Sequence, residues 1–504
     1  MKKSLTLLFI AAITIFLTYN VSAFFSFFIF IPVFYFLEKD KIKGYIRIIL
    51  VYIFFLIFNI IPTYWLANVQ LSEGLMTWSV NSILMLMVAL LTLAATKAGN
   101  TNNRLIQFIS LWLVFEYFHH IWVFNWPWLS LGNIFCTNVK YVQWYKYTGM
   151  GGGTLWILLI NLFIYKIFQN RQQWGYKLPG LGIIIFFPIA LSLFLFHKEK
   201  TITKETYPLI ITQPNANTLK NKVNELALID NIFDNISSLN IKKPSILLLP
   251  ETFIKENVFD NRLKDCIAIQ KINQKLIKCN GISCITGLIM NTANTASGND
   301  INSSINTYDA AIFLDATGNS QVHFKSKLIP IEEYLPKPLA GFGLLSDNFS
   351  LGNDYNAFKI NKDVDLSVGI CYEIIFGQSI AEMVSKNTGA ILMIANEQML
   401  AGNTEKEFYT NICRLRAIEN GKYLAKSSNT GFSGLINEKG ETVFKLQDGK
   451  FGLASIDVPI HRDKTFYTKY YQQITLFVFL QGIIILLSSI YLKLRTGKID
   501  ILAQ

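Results

Sequence analysis

Charge is scarce in this chain. Of 504 residues only 16% are Asp, Glu, Lys or Arg, while 51% are hydrophobic and 14% aromatic. Soluble domains usually carry about a quarter charged residues, so this composition excludes a chain that is soluble along its whole length. Six cysteines (136, 266, 279, 284, 371, 413) form no Cys-x-x-Cys pair, which removes the common zinc and dithiol frameworks. Five histidines (119, 120, 197, 323, 461) stand at no metal-ligand spacing. Also missing are HExxH, a Gly-x-Ser-x-Gly elbow and a Gly-rich phosphate loop, so zinc-protease, serine-hydrolase and P-loop chemistry are excluded. A net charge of +12 comes without a basic helix interleaved with aromatics, and no nucleic-acid partner is expected.

What is present is unevenly distributed. Residues 4–196 are almost continuous apolar blocks, 200–465 have mixed composition, and 474–492 are apolar again. Eight membrane spans are expected, near 4–18, 22–37, 46–66, 78–95, 105–122, 152–168, 178–196 and 474–492. Lys2, Lys3, Lys39, Lys41, Lys43, Arg47, Lys97, Arg104, Lys166, Arg171, Lys177, Lys493, Arg495 and Lys498 fall on one side of these spans. The opposite short connections carry only Lys140 and Lys146. By the positive-inside rule both termini are cytoplasmic and the 200–465 region lies on the outer face. Val21-Ser22-Ala23 has the form of a signal-peptidase site, but FFSFFIFIPVFYFL follows at once, so an uncleaved first helix is expected. The domain organisation is therefore 1–198 in the membrane, 205–465 outside and a last span at 474–492.

The outer region alternates short β-runs with helical stretches. YPLIITQPN, PSILLLPET, SCITGLIM, DAAIFLDATGN, VDLSVGICYE, AILMIANE, KYLAKSSNTG and FGLASIDV predict strands, and DATGN predicts a hairpin turn. Three polar residues stand in or at the ends of these runs: Glu251 after SILLLP, Lys325 in VHFKSKLIP, and Cys371 after LSVGI. Each alone has a plain reading: a solvated carboxylate, a surface lysine, a core thiol. Together they suit nucleophilic catalysis, because a thiol needs a base or a nearby cation to act as thiolate. Glu251 can be that base, and Lys325 can favour the thiolate and a developing oxyanion.

The combination of PE at a strand end, Lys325 with Glu333 and Tyr334 eight and nine residues later, and GICYE resembles the nitrilase superfamily. A polytopic segment in front, this domain outside and one final span resemble its membrane-embedded branch, the apolipoprotein N-acyltransferase family. KSKLIPIEEYLP, NWPWLSLG, RLRAIENGKYL and SSNTG extend the likeness over essentially the whole chain. The resemblance implies an α/β nitrilase-like α-β-β-α sandwich behind a polytopic α-helical membrane domain. It implies Glu251 as general base, Lys325 as oxyanion and thiolate stabiliser, and Cys371 as nucleophile. Glu333, Tyr372 and Glu373 are implied as supporting residues, with 333 chosen over Glu332 by family spacing alone. His323 has no role in the family pattern, so packing or surface is expected. An Arg416–Glu419 ion pair on one helix is the expected reading of RLRAIENG.

The likeness further implies transfer of an acyl chain from a phospholipid, phosphatidylethanolamine by expectation, to the α-amine of an S-diacylglyceryl cysteine on an apolipoprotein. The acyl group would pass through a Cys371 thioester, with no cofactor and no metal, at the bacterial inner membrane. The alternative is a membrane-anchored nitrilase-type amidase, for which eight spans are more than an anchor needs. Phe342, Met399, Trp126 and Trp128 are expected to line substrate access. Glu116 and His120, four apart in the fifth span, form a possible intramembrane functional pair. One departure stands out: where the family has Asn-Asp-x-Trp-Phe-Gly, this chain has Asn396-Glu397-Gln398-Met399-Leu400-Ala401-Gly402.

Overall fold

The structure is a computed structural model that describes residues 2–39, 42–96, 101–122, 124–170, 172, 174–198, 205–216, 224–239, 241, 243–279, 281–293, 305–335, 348–353, 355–386, 388–400 and 402–502. The chain divides into two compact units, one of residues 1–198 with 470–504 and one of residues 199–469.

The first unit is helical. Among the described residues, six helices are long and apolar enough to cross a membrane: Lys2–Asn20, Gly44–Thr63, Leu71–Ala95, Met150–Gln169, Lys177–His197 and Phe466–Leu492. The other two expected spans take a different form. The 22–37 stretch breaks into a 3-10 turn, Ala23–Phe28, and an eight-residue helix, Ile31–Glu38, with Pro32 in its first turn. Backbone groups freed by such a break need partners where water is absent. Asn161 supplies them: its Oδ1 accepts from Phe30 N at 2.8 Å and its Nδ2 donates to Ser26 O at 2.9 Å. The fifth span is a helix, Thr101–His119, but it carries Arg104, Gln107 and Glu116, all buried, and falls outside the six. Arg104 donates to Leu37 O at 2.6 Å and to Thr96 Oγ1 at 3.1 Å.

Aromatic rings fill the middle of this unit, where Phe30 meets Phe54, Phe58, Phe108 and Trp112 at centroid separations of 5.0–6.2 Å. Phe186, Phe187, Phe194 and Phe477 instead point outward and are 65–69% exposed. Such apolar exteriors suit lipid as the surrounding medium, since water would drive them inside.

The second unit is an α/β sandwich. Its first strands are β1 (Thr206–Gln213), β2 (Ser245–Leu248), β3 (Ile254–Phe259), β4 (Ile282–Ala293), β5 (Ile305–Leu314) and β6 (Ser320–Phe324). The rest are β7 (Phe358–Lys359), β8 (Asp365–Ile370), β9 (Ala390–Ala395), β10 (Leu424–Ser428), β11 (Gly434–Ile436), β12 (Thr442–Lys445) and β13 (Gly452–Pro459). All eight predicted strands are present. The remaining five, β3, β6, β7, β11 and β12, are short or polar and carry too little alternation to be read locally. One sheet runs β13-β1-β2-β4-β5-β6, with β3 on β4, and the other runs β12-β11-β10-β9-β8-β7.

Strand alternation explains the layering. Ile246 and Leu248 of β2, Ala311 and Phe313 of β5, and Leu366, Val368 and Ile370 of β8 turn into one core between the sheets. The opposite face of the first sheet, with Leu247, Cys284, Leu288, Ala310 and Ile312, packs under the helices Glu225–Ser237 and Ile267–Lys278 through Ile229, Phe233, Ile269 and Ile272. On the second sheet the helices Gly377–Ser385 and Asn403–Asn420 follow β8 and β9.

Candidate active site

Glu251, Lys325 and Cys371 each leave the end of a strand that lines the core between the sheets, so the fold gathers them at one edge of that core. Glu251 follows β2. Its loop presses against β4 at Gly287, where a Cβ would lie 2.5 Å from Thr252 N and 2.6 Å from Glu251 Cα. Only glycine admits this approach. Lys325 follows β6 and is fully buried. Its Nζ donates to Glu251 Oε1 at 2.7 Å, to Glu333 Oε1 at 2.5 Å and to Asp309 Oδ2 at 3.0 Å. The lysine is therefore an interior cation. Burial by itself would push it toward the neutral amine, but Glu251, Glu333 and Asp309 override this and hold it charged, well above its ordinary range.

The three carboxylates lie close enough together to hold a metal ion. The position between them is taken by the Lys325 ammonium, so the donor set already has its cation and does not fit a metal as well. The second oxygens of Glu251 and Glu333 are also engaged. Glu251 Oε2 accepts from Asn396 N at 2.8 Å, and Glu333 Oε2 accepts from Ile329 N at 2.8 Å. Glu333, and not its neighbour Glu332, is thus the residue that reaches the lysine.

Cys371 begins a 3-10 turn, Cys371–Ile375, directly after β8. Its φ is +42°, a left-handed conformation that a non-glycine residue adopts at a cost of about 1–3 kcal/mol. Tyr409 holds the turn from the following helix, donating its hydroxyl to Cys371 O at 2.6 Å. The Cys371 thiol is close enough to Glu251, Lys325 and Glu333 to feel their charges. Burial raises its pKa well above the ordinary thiol range, the Glu251 and Glu333 carboxylates add to this, and Lys325 opposes them. The resting group is accordingly a thiol beside a carboxylate, and a buried thiol of this kind reacts only once a neighbouring group accepts its proton.

Glu373 has a different place. Its Oε2 accepts from Ile370 N at 2.7 Å and lies 3.1 Å from His323 Nε2. Its Oε1 accepts from Ser326 N at 2.7 Å and from Ser326 Oγ at 2.6 Å. Burial pushes its pKa up, but His323, Ser326 and Ile370 N together hold it below the ordinary carboxylate range. Glu373 therefore ties the Cys371 turn to β6 and does not face the thiol cluster. His323 is buried and belongs to that tie, so the reading of it as a packing or surface residue is too plain. Tyr372 is buried with its ring 5.2 Å from Phe376. Arg416 and Glu419 form the expected pair, Nε to Oε2 at 3.1 Å, and Arg416 also donates to Ile375 O at 3.3 Å, which anchors the far end of the turn.

The proposed access residues fare unevenly. Met399 is exposed, Phe342 lies outside the described residues, and Trp126 and Trp128 belong to the helical unit. Trp128 is buried with its ring 5.8 Å from Trp65. Glu116 accepts from Trp112 Nε1 at 3.0 Å, Leu131 N at 2.8 Å and Thr154 Oγ1 at 2.5 Å, which pins the 3-10 turn Leu131–Thr137 between helices.

Comparison with known proteins follows the same division. The model described as the apolipoprotein N-acyltransferase N-terminal domain matches residues 9–163, and the carbon-nitrogen hydrolase model matches residues 223–463. An apolipoprotein N-acyltransferase of Pasteurella multocida is 25% identical over 356 residues, 68% of this chain and 66% of that protein. One of Chlorobaculum tepidum is 22% identical over 441 residues, 82% of each chain. The chain belongs to the apolipoprotein N-acyltransferase family. It is a membrane protein with a nitrilase-type α/β domain. Against the Pasteurella and Haemophilus influenzae relatives it spans just under two thirds of their length, 66% and 65%. Among solved structures, Nit3 of Saccharomyces cerevisiae, from branch 10 of the nitrilase superfamily, is similar over 55% of this chain and 96% of its own, with 16% identity and a TM-score of 0.40.

Within the loop after β9, Asn396 donates its backbone N–H to Glu251 and so orients that carboxylate. Glu397, standing where the family has aspartate, is buried and pairs with Lys426 of β10. The ammonium of Lys426 lies 4.3 Å from the centre of the Tyr409 ring, so the pair also bears on the residue that holds Cys371. Sequence reasoning missed Asp309, Asn396, Tyr409 and Lys426. Two had a visible signal: Asp309 is a charge ahead of AAIFL, and Lys426 is a charge inside LAKSS. Asn396 and Tyr409 act through a backbone N–H and a hydroxyl, and nothing local marks them.

Proposed function

We propose that this protein transfers an acyl chain from a phospholipid, phosphatidylethanolamine, to the α-amine of the S-diacylglyceryl cysteine at the N-terminus of an apolipoprotein. The observation that carries this reading is one buried cluster in which the Cys371 thiol stands beside Glu251, Lys325 and Glu333, with Glu251 held by Lys325. Long apolar helices in the same chain support a lipid donor. Glu251 takes the Sγ proton as sulfur attacks the ester carbonyl, and Lys325 stabilises the oxyanion that forms. Collapse of the tetrahedral intermediate breaks the ester C–O bond, and the Glu251 proton passes to the departing lysophospholipid oxygen. The Cys371 thioester then reacts with the incoming amine, which yields its proton to Glu251, and Glu251 returns it to sulfur. The cycle calls on no cofactor. Its site is the bacterial inner membrane, with the α/β domain periplasmic and both termini cytoplasmic; the lysine and arginine asymmetry supports this orientation.

A phospholipid labelled in its acyl chain should leave label on the purified protein, releasable by hydroxylamine and absent from Cys371→Ala. A diacylglyceryl lipopeptide with a free α-amine should discharge that label onto the amine, and an acetylated one should not. Release as free fatty acid regardless of the lipopeptide would favour the amidase reading and overturn this one.

A further inference from the structure

The cluster around Lys325 contains one carboxylate more than the acyl-transfer cycle uses. Asp309 is placed there by strand alternation: 309, 311 and 313 share the face of β5 that turns toward the other sheet, and Ala311 and Phe313 lie in the core between the sheets. Its carboxyl is 1% exposed. Oδ2 accepts from Lys325 Nζ at 3.0 Å, whereas Oδ1 is buried and meets no donor among the described residues. Carboxylate oxygens of Asp309, Glu251 and Glu333 all lie within 4.8 Å of one another around the single Lys325 ammonium. Three carboxylates around one cation leave charge uncompensated out of water, which favours a proton on one of them.

The geometry decides which one. Both oxygens of Glu251 accept from N–H donors, Lys325 and Asn396, and both oxygens of Glu333 accept from Lys325 and Ile329. Those two groups are satisfied as carboxylates. Asp309 alone has an oxygen left over. The groups facing it are Glu251 from the loop after β2, Lys325 from the end of β6 and Glu333 from the turn that follows. Cys371, at the end of β8, belongs to the same cluster through Glu251. On its other flank β4 brings Ile289 opposite, with no charge.

We propose that Asp309 is a positioning residue of this site, holding a proton against the Glu251 carboxylate so that the cluster carries one negative charge fewer while Cys371 reacts. With Asp309 neutral, Glu251, Glu333 and Lys325 sum to a single negative charge. With Asp309 ionised the sum is two, beside a thiol that must itself become anionic. A negative charge a few ångströms away, in a site shielded from water, opposes thiolate formation strongly. Burial, together with the Glu251 carboxylate and against the pull of Lys325, moves the Asp309 carboxyl up to about 8. The proton is thus retained at neutral pH and lost as pH rises through about 8, which gives the nucleophile an alkaline brake. This inference rests on the acyl-transfer reading for its meaning, but its test does not.

The test measures iodoacetamide alkylation of Cys371 in the full-length protein in detergent, by peptide mass spectrometry, between pH 6 and 10. It needs no lipid donor, so its result is independent of whether an acyl-enzyme forms. Asn at 309 can donate to Glu251 and accept from Lys325, but it cannot ionise. The ratio of Asp309→Asn to wild-type alkylation rate should therefore rise as pH passes through about 8, to at least five-fold, roughly the least that a full charge at this range implies. A ratio that stays flat, or falls with pH, overturns the proposal. Should Asp309→Asn not fold, the wild-type protein decides the matter alone. Its infrared spectrum should contain the carbonyl band of a protonated buried carboxylic acid at pH 6, which should fade through about pH 8. Absence of that band at pH 6 overturns the proposal as well.

Discussion

The Lys325 ammonium sits 2.7 Å from Glu251 Oε1 with its side chain wholly out of water. Its removal leaves Glu251, Asp309 and Glu333 buried together without a cation. Lys325→Ala should therefore lose acyl-enzyme formation and also lower the stability of the α/β domain by about 3–5 kcal/mol, the usual effect of orphaning a buried charge. From sequence, neither Lys325→Ala nor Glu251→Gln deletes apolar core and both variants should fold; the structure separates them. Glu251→Gln removes a charge from a cluster that has a surplus and should melt within about 1 kcal/mol of wild type while forming no acyl-enzyme. Thermal melts in detergent beside acyl-enzyme labelling test both variants, and equal melting temperatures for the two would contradict the argument.

Tyr409 should matter to catalysis more than to folding. Tyr409→Phe keeps the ring over Lys426 but loses the hydroxyl bond to Cys371 O, the contact that holds the left-handed turn. A decrease of about ten-fold in the acylation rate is expected, with about 1 kcal/mol lost in stability. Single-turnover labelling and denaturant unfolding supply the two readings.

Glu373 predicts a behaviour in acid. Its folded pKa is depressed, so its ionised form stabilises the fold. That contribution is fully present above the unfolded value of about 4.3 and is lost as pH falls through the lower folded value. Glu373→Gln should remove this acid-side loss. It should also destabilise the protein at neutral pH by about 2–4 kcal/mol, because Ile370 N, Ser326 and His323 lose a charged acceptor. Unfolding free energies from pH 3 to pH 7 would reveal the change in slope. An unchanged slope would mean that Glu373 titrates normally.

In the helical unit, Asn161→Leu should be severe although it replaces a polar group with an apolar one. It strands Phe30 N at the break between the 3-10 turn and the helix Ile31–Glu38, while Ser26 O keeps only its 3.3 Å bond from Ile29 N. A loss of about 1–3 kcal/mol is expected from one unpaired buried backbone donor. A thermal shift in detergent, compared with Asn161→Gln, gives the measurement.

The sequence by itself determined the parts that depend on neighbouring residues. Apolar runs long enough for a bilayer became six long helices, because length and composition decide that outcome without reference to the rest of the chain. Strand-length apolar stretches such as SILLLP, LSVGI and AILMIA became β2, β8 and β9, since each needs only an apolar face to be buried. Glu251, Lys325 and Cys371 were legible because each ends such a run within a recognisable motif. Tertiary structure decided everything that depends on residues distant in sequence. The 22–37 stretch is apolar enough to be one helix, and only Asn161, 131 residues after Phe30, makes the break affordable inside the bilayer. Glu332 and Glu333 are chemically equivalent on paper, and the turn that bonds Glu333 N to Ile329 O selects which one faces Lys325. Asp309 is marked in the sequence only as a charge ahead of AAIFL. Its place beside Glu251 comes from the pairing of β5 with β6 and from the second sheet that closes over it, which together turn an ordinary aspartate into a buried acid.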